Sequence, residues 1–108
     1  MKKLTTLFFA FLISTGAYAG CLQKVKEEIN NTNTTQNKNI KLVTLKSQIL
    51  KPGQDSLAYG GEFYNNTNSN VEVFFLTESN GYYNNFSALL LDAQSCTIVA
   101  KQSLGDDA

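Results

Sequence analysis

The chain has 108 residues, 43% hydrophobic and 17% charged, which is enough for one domain with a buried core. It is formally neutral, with nine lysines, nine acidic residues, no arginine and no histidine. Proteins that bind nucleic acid through its phosphates usually have a basic excess that includes arginine, and histidine is the commonest general base and metal ligand. The composition therefore argues against nucleic acid as a partner and offers few groups for catalysis.

Residues 1–19 have the layout of a secretory signal peptide. Two lysines follow the initiator methionine, residues 7–13 are apolar, and small residues stand at −3 and −1 before Gly20. We expect cleavage between Ala19 and Gly20, which leaves residues 20–108 as a single small exported domain. The apolar run is too short for a transmembrane helix, so the mature chain is expected to have no membrane span. The compact, lysine-led start is typical of bacteria and indicates the periplasm or the medium.

Cys21 allows two different interpretations of the mature N-terminus. The chain has two cysteines, and an even count in an exported protein predicts a disulfide, here between Cys21 and Cys96. However, residues 18–21, Tyr-Ala-Gly-Cys, also resemble a lipobox, although Tyr18 stands where that motif prefers leucine. In that alternative Cys21 is lipidated and anchors the protein in a membrane.

A short amphipathic helix is predicted over residues 22–30. Leu22, Val25 and Ile29 follow one another at helical spacing, with charged residues between them. Residues 30–39 contain only Asn, Thr, Gln and Lys. Because such a segment has no apolar side chain to bury, it is expected to be a mobile loop.

Two strands are predicted between residues 40 and 64. Residues 40–50 change their apolar phase midway, which indicates a single irregular or bulged strand. Residues 57–64 form the next strand, and Gly60 and Gly61 lie inside it. Glycines inside a strand mark a bulge or a point where another backbone comes close.

The strongest local signal is a hairpin. Residues 71–79 and 82–91 are two strand-like runs that flank Asn-Gly at 80–81, a pair typical of a type I′ turn. A two-residue loop places Phe75 opposite Phe86 and puts both on the face dominated by large apolar side chains.

The second face of this hairpin is also apolar in part. In a sheet with one solvent-exposed face, apolar and polar residues alternate more regularly along each strand. We therefore expect this second face to be covered by the same chain, a second copy or a partner. The candidate partner surface combines Phe74 and Leu76 of this face with the aromatic corner formed by Tyr82 and Tyr83.

The fold predicted from these elements is α+β and mainly β. A short N-terminal helix precedes an antiparallel meander of about five strands, the last of which covers residues 96–103. Residues 105–108 are expected to fray. Two architectures fit: a curled sheet around the helix, as in cystatin-like folds, or a small immunoglobulin-like β-sandwich of two layers.

No group of residues predicts a reaction, a cofactor or a metal. Glu72 and Glu78, on one strand face, are about 20 Å apart, which is too far for an acid–base pair. Glu62 and Asp92 are the other candidate acids, and only a shared pocket for Glu62 and Glu72 would indicate an enzyme. No spacing matches a nucleophile motif or a calcium loop.

The sequence therefore predicts a non-catalytic exported binding or inhibitor-type protein of the bacterial cell envelope. Its partner is expected to be another envelope or extracellular protein, with a homodimer as a further arrangement. The alternative is a structural component of an envelope assembly, anchored by a lipid at Cys21.

Overall fold

A computed structural model describes residues 20–43, 47–79 and 81–107. The predicted signal peptide, up to Ala19, lies outside the described residues. The described residues form an α+β structure that is mainly β, as predicted. The elements are α1 (Leu22–Gln36), β1 (Ile40–Leu42), β2 (Gln48–Leu50), β3 (Asp55–Ala58), β4 (Gly61–Tyr64), β5 (Val71–Ser79), β6 (Asn84–Asp92) and β7 (Ile98–Asp107).

The main sheet is antiparallel and has five strands. Strand β5 lies at its centre, β6 and β7 follow on one side, and both β1 and β2 pair with the other side of β5. Strands β3 and β4 form a separate hairpin. Residues 40–50 are therefore two short strands on the same edge rather than the single bulged strand that was predicted, and the order is not a simple meander.

The predicted strand over residues 57–64 is also wrong, because the chain reverses inside it. Ala58 pairs with Gly61, so Tyr59 and Gly60 form a two-residue loop. Both have positive φ, 50° and 82°, which is the conformation of a type I′ turn. Tyrosine rarely takes this conformation, which is why the sequence pattern resembled a continuous strand.

The hairpin of β5 and β6 exists, but its register differs from the predicted one by two residues. Phe75 pairs with Ala88, and the connection runs from Ser79 to Asn84. The small side chain opposite Phe75 leaves room for the rings of Tyr59 and Phe63, whose centroids lie 5.4 and 5.5 Å from that of Phe75. Because the shift is even, each side chain stays on its predicted face.

Helix α1 covers one face of the sheet. Cys21 and Val25 are fully buried against it, together with Phe74, Leu76 and Leu89 of β5 and β6. Phe74 and Leu76, two of the four residues predicted to form a partner surface, are only 1% and 4% exposed. The chain itself covers this part of the second hairpin face, so these two residues belong to the core.

The β3–β4 hairpin covers the opposite face, so the chain has three layers: helix, sheet and hairpin. Phe63 is buried there with Leu50, Val73 and Leu90. Strand β4 crosses β7 so closely that a Cβ on Gly61 would lie 2.5 Å from the Cα of Leu104. The glycine at this position therefore permits the close approach of another backbone.

Helix α1 is longer than predicted, since it includes much of the segment expected to be a loop. It ends at Gln36, and Asn37 then adopts a left-handed φ of 53°. The side chain of Asn33 donates to the carbonyl of Ile40 at 3.0 Å and accepts from the N–H of Ile40 at 2.9 Å. These two bonds tie the end of the helix to β1, a tertiary contact that composition alone does not reveal.

Candidate functional site

The two ends of the sheet differ in chemistry. We call one the disulfide end, which contains Cys21, Cys96, Asn65 and Asp92. The other is the tyrosine end, which contains Tyr59, Tyr82, Tyr83 and Phe86. The register places Val71 and Asp92 opposite each other at the first end, and Ser79 and Asn84 opposite each other at the second.

A disulfide joins the start of α1 to the turn between β6 and β7. Cys21 and Cys96 are bonded, with Cα atoms 5.2 Å apart, which confirms the predicted pair. The turn is shaped by Asp92, whose Oδ1 accepts the N–H groups of Ser95 at 3.0 Å and Gln94 at 2.9 Å. These two hydrogen bonds lower the pKa of Asp92 below its ordinary value, and the bond from the Ser95 N–H has the larger effect.

Asn65 organises the loop at the same end. It is fully buried, and its amide donates to the carbonyls of Leu50 at 3.0 Å and Ser69 at 2.8 Å. Its Oδ1 accepts from the backbone N–H of Thr67 at 2.9 Å and from the hydroxyl of Thr67 at 2.6 Å. A buried amide with this set of partners is a structural group, and it is not available to a ligand.

At the tyrosine end a row of aromatic rings crosses the hairpin-covered face. Tyr59 stacks on Phe86 with centroids 4.9 Å apart and planes 4° apart, and it meets the edge of Phe75. Phe75 in turn contacts Phe63. Tyr59 is nevertheless 44% exposed, so the row begins at the surface and ends in the core.

The β5–β6 connection adds two more tyrosines at this end. Tyr82 is 88% exposed and Tyr83 is 36% exposed. Strand β7 continues alongside to Asp107, opposite Asn84, so the predicted frayed tail is paired as far as that residue. The tyrosine end therefore presents large aromatic side chains on a hydrogen-bonded framework.

The candidate acids are not brought together. Glu62 is exposed on the outer side of the β3–β4 hairpin. Glu72 lies on the helix side of the main sheet and is only 3% exposed, and its carboxylate accepts a hydrogen bond from the Ser47 hydroxyl at 2.7 Å. The sheet lies between the two carboxyl groups. In residues 20–43, 47–79 and 81–107, no three Cys, Asp or Glu side chains are grouped so that they could hold a metal ion.

Within the same described residues, no helix has the length and hydropathy that a bilayer span requires. Comparisons of the chain with protein-family models, with curated proteins and with solved structures found no match.

Sequence reasoning singled out Tyr82 and Tyr83 but missed Tyr59 and Asn65. The local pattern predicts a strand at Tyr59, and only the two glycines after it indicate a turn. Asn65 lies in a polar stretch whose other asparagines are exposed, so its burial has no signal in the local sequence.

Proposed function

We propose that this chain is a non-catalytic exported binding protein of the bacterial cell envelope and that its tyrosine end docks a partner protein. The observation that carries the proposal is the 88% exposure of Tyr82 at the same end as the stacked Tyr59. Tyrosine is favoured at interfaces because it combines a large apolar body with a polar tip and loses little conformational entropy.

The conformation of Tyr59 supports this assignment. A left-handed backbone costs a residue with a Cβ about 1–2 kcal/mol, and the stack on Phe86 offsets about 0.5–1.5 kcal/mol of that. Asparagine or glycine would fit the turn without the strain. Strained residues that are held in place by their surroundings occur preferentially at functional sites.

The exported location is part of the proposal. The Cys21–Cys96 disulfide is consistent with an oxidising compartment, as is the signal-like start of the chain. The lipid-anchored alternative receives less support, because the sulfur that bonds to Cys96 cannot also carry a thioether lipid. Intact mass of the protein purified from its native envelope distinguishes the two: we expect a chain that begins at Gly20 and gains two free thiols on reduction.

The finer architecture is proposed on similar grounds. Packing of α1 on one face of a single main sheet favours the curled helix-plus-sheet arrangement over an immunoglobulin-like sandwich. An experimental structure that showed two β-sheets of similar size packed face to face, with α1 outside the core, would contradict this choice.

Site-specific photo-crosslinking tests the binding function. A benzophenone-bearing phenylalanine replaces Tyr82 in the exported protein, and the matched control replaces Gln94, which is exposed at the disulfide end. We expect a discrete protein adduct from position 82 and none from position 94. Unlabelled wild type should compete for this adduct, whereas a Tyr82→Ser, Tyr83→Ser variant should not.

Each outcome has a defined meaning. An adduct of two copies of this chain would identify a homodimer instead of a separate partner. Absence of any adduct at position 82, or adducts of equal yield from positions 82 and 94, would overturn the proposal that the tyrosine end is a docking surface.

A further inference from the structure

A concave surface lies on the helix side of the sheet, on the face opposite the ring stack. We call it the helix cleft; it has a volume of about 180 Å³ and opens between α1 and strands β5–β7. Its apolar wall consists of Ile29, Ile40, Leu76, Leu89 and Ile98. Glu28, Ile29 and Thr32 form the α1 side of the cleft.

A polar hollow of about 360 Å³ lies on the same sheet face, and Lys101 lines both it and the cleft. The hollow also contains Asn85, Ser87 and Ser103. The pairings of Ser87 with Ser103 and of Leu89 with Lys101 place these side chains side by side on β6 and β7. The apolar helix cleft and the polar hollow therefore meet at Lys101.

Lys101 is the positively charged side chain that lines both compartments, whereas Glu28 lines the cleft and Glu78 lines the hollow. In the described part of the chain the ion pair within 4.0 Å joins Lys38 to Glu78, so the carboxylate of the hollow already has a cation beside it. Lys101 has no carboxylate oxygen within that distance among the described residues. A carboxylate ligand would give its ammonium group the partner that the fold does not supply.

We propose that the helix cleft and the polar hollow together bind a small carboxylate that carries a short apolar group. An apolar cavity of about 150 Å³ is large enough for benzene, so the cleft fits a group of about six carbons. The apolar group would occupy the wall of isoleucines and leucines, and the carboxylate would contact Lys101 and accept from Ser87 or Ser103. The polar hollow borders the tyrosine end at Phe86, but the assigned ligand contacts lie on the helix side of the sheet, and the proposal does not depend on a protein partner.

Methyl-group NMR of the oxidised protein tests this proposal with hexanoate as the probe and hexan-1-ol as its uncharged control. We expect saturable shifts at the methyl groups of Ile29, Leu89 and Ile98, with hexanoate binding about tenfold more tightly than hexan-1-ol. Lys101→Gln should remove this preference. Lys41→Gln, on the other sheet face and outside the cleft, should retain it.

A second variant tests the apolar half of the site. Thr32, which also lines the cleft, is replaced by phenylalanine to fill it, and the methyl spectrum reports whether the fold is intact. We expect this variant to lose both probes. Equal affinity for hexanoate and hexan-1-ol, an unchanged preference in Lys101→Gln, shifts outside the cleft, or no shifts at tens of millimolar hexanoate would each overturn the proposal.

Discussion

At the disulfide end of the sheet the chain is covalently closed and its buried amide is fully bonded, whereas at the tyrosine end aromatic side chains reach solvent. Asn65 has four side-chain hydrogen bonds and no exposure. Tyr82, at the far end of the same strands, is 88% exposed. The two ends share the same strands, but the groups that stabilise the fold lie at one end and the exposed aromatic side chains lie at the other.

This difference has a physical reason. A small domain has a limited apolar core, and a crosslink or a buried polar network can supply a large share of its net stability. Elements that bind partners are commonly drawn from the less stable parts of a protein. We therefore expect substitutions at the disulfide end to change stability most, and substitutions of exposed tyrosines to change mainly recognition.

Loss of the disulfide should have the largest effect. The bond closes a loop with a sequence separation of 75 residues, for which the chain-entropy relation gives about 4 kcal/mol. We expect the double variant Cys21→Ala, Cys96→Ala to lose about that much free energy of unfolding in urea denaturation. The wild type with reductant is the control and should match it, and an unchanged midpoint would show that the crosslink is not a main source of stability.

Substitution of the buried Asn65 should cause the second largest loss of stability. Asn65→Ala removes the buried amide that donates to the carbonyls of Leu50 and Ser69, which should cost about 2–3 kcal/mol. Asn66 follows it in the sequence and is exposed, so Asn66→Ala is a matched control that should stay within about 0.5 kcal/mol of wild type. Equal effects of the two substitutions would mean that the Asn65 network is not formed in solution.

Strand β4 crosses β7 at Gly61, and the stability of this crossing should respond to the addition of one methyl group. Gly61→Ala would place a Cβ against the Leu104 backbone, and we expect a loss of about 1–3 kcal/mol in thermal or urea unfolding. Gly60 has open space around it and a φ of 82°, so Gly60→Asn should cost less than about 1 kcal/mol. A smaller loss for Gly61→Ala than for Gly60→Asn would contradict the observed crossing.

The smallest effect is expected from Asp92. Its folded-state pKa is lowered, so its contribution to stability is present above its ordinary, unfolded-state pKa and is lost as the pH falls through the folded-state pKa. Asp92→Asn should therefore be less stable than wild type at neutral pH, and the difference should shrink as the solution is acidified. A difference that grew at low pH would contradict the assigned hydrogen bonds.

The sequence predicted those parts of the fold that depend on local pattern. The spacing of Val25 and Ile29 located the helix, and the alternation in β5 and β6 placed the side chains on the correct faces. The predicted register was wrong because it assumed a two-residue loop, whereas the pairing ends at Ser79 and Asn84. Phe75, with Ala88 opposite, packs against rings of a distant segment, Tyr59 and Phe63. The end of the helix was missed because it depends on the contact between Asn33 and Ile40.

The candidate site could also be predicted only in part from the sequence. Tyr82 stood out because two tyrosines follow a hairpin turn, but its neighbours Phe74 and Leu76 proved to be core residues. The position of Tyr59 depends on a backbone conformation that tyrosine seldom adopts. Such exceptions to local backbone preference depend on tertiary packing, which cannot be read from the local sequence pattern.

Amide hydrogen exchange of the oxidised protein tests most directly whether stability is concentrated at the disulfide end. We expect the paired amides near Val71 and Leu91 to exchange only by global unfolding, with the highest protection in the chain. Amides of residues 82–84 and 105–107 should exchange much faster through local opening. Equal protection at both ends, or the slowest exchange at the tyrosine end, would contradict the account.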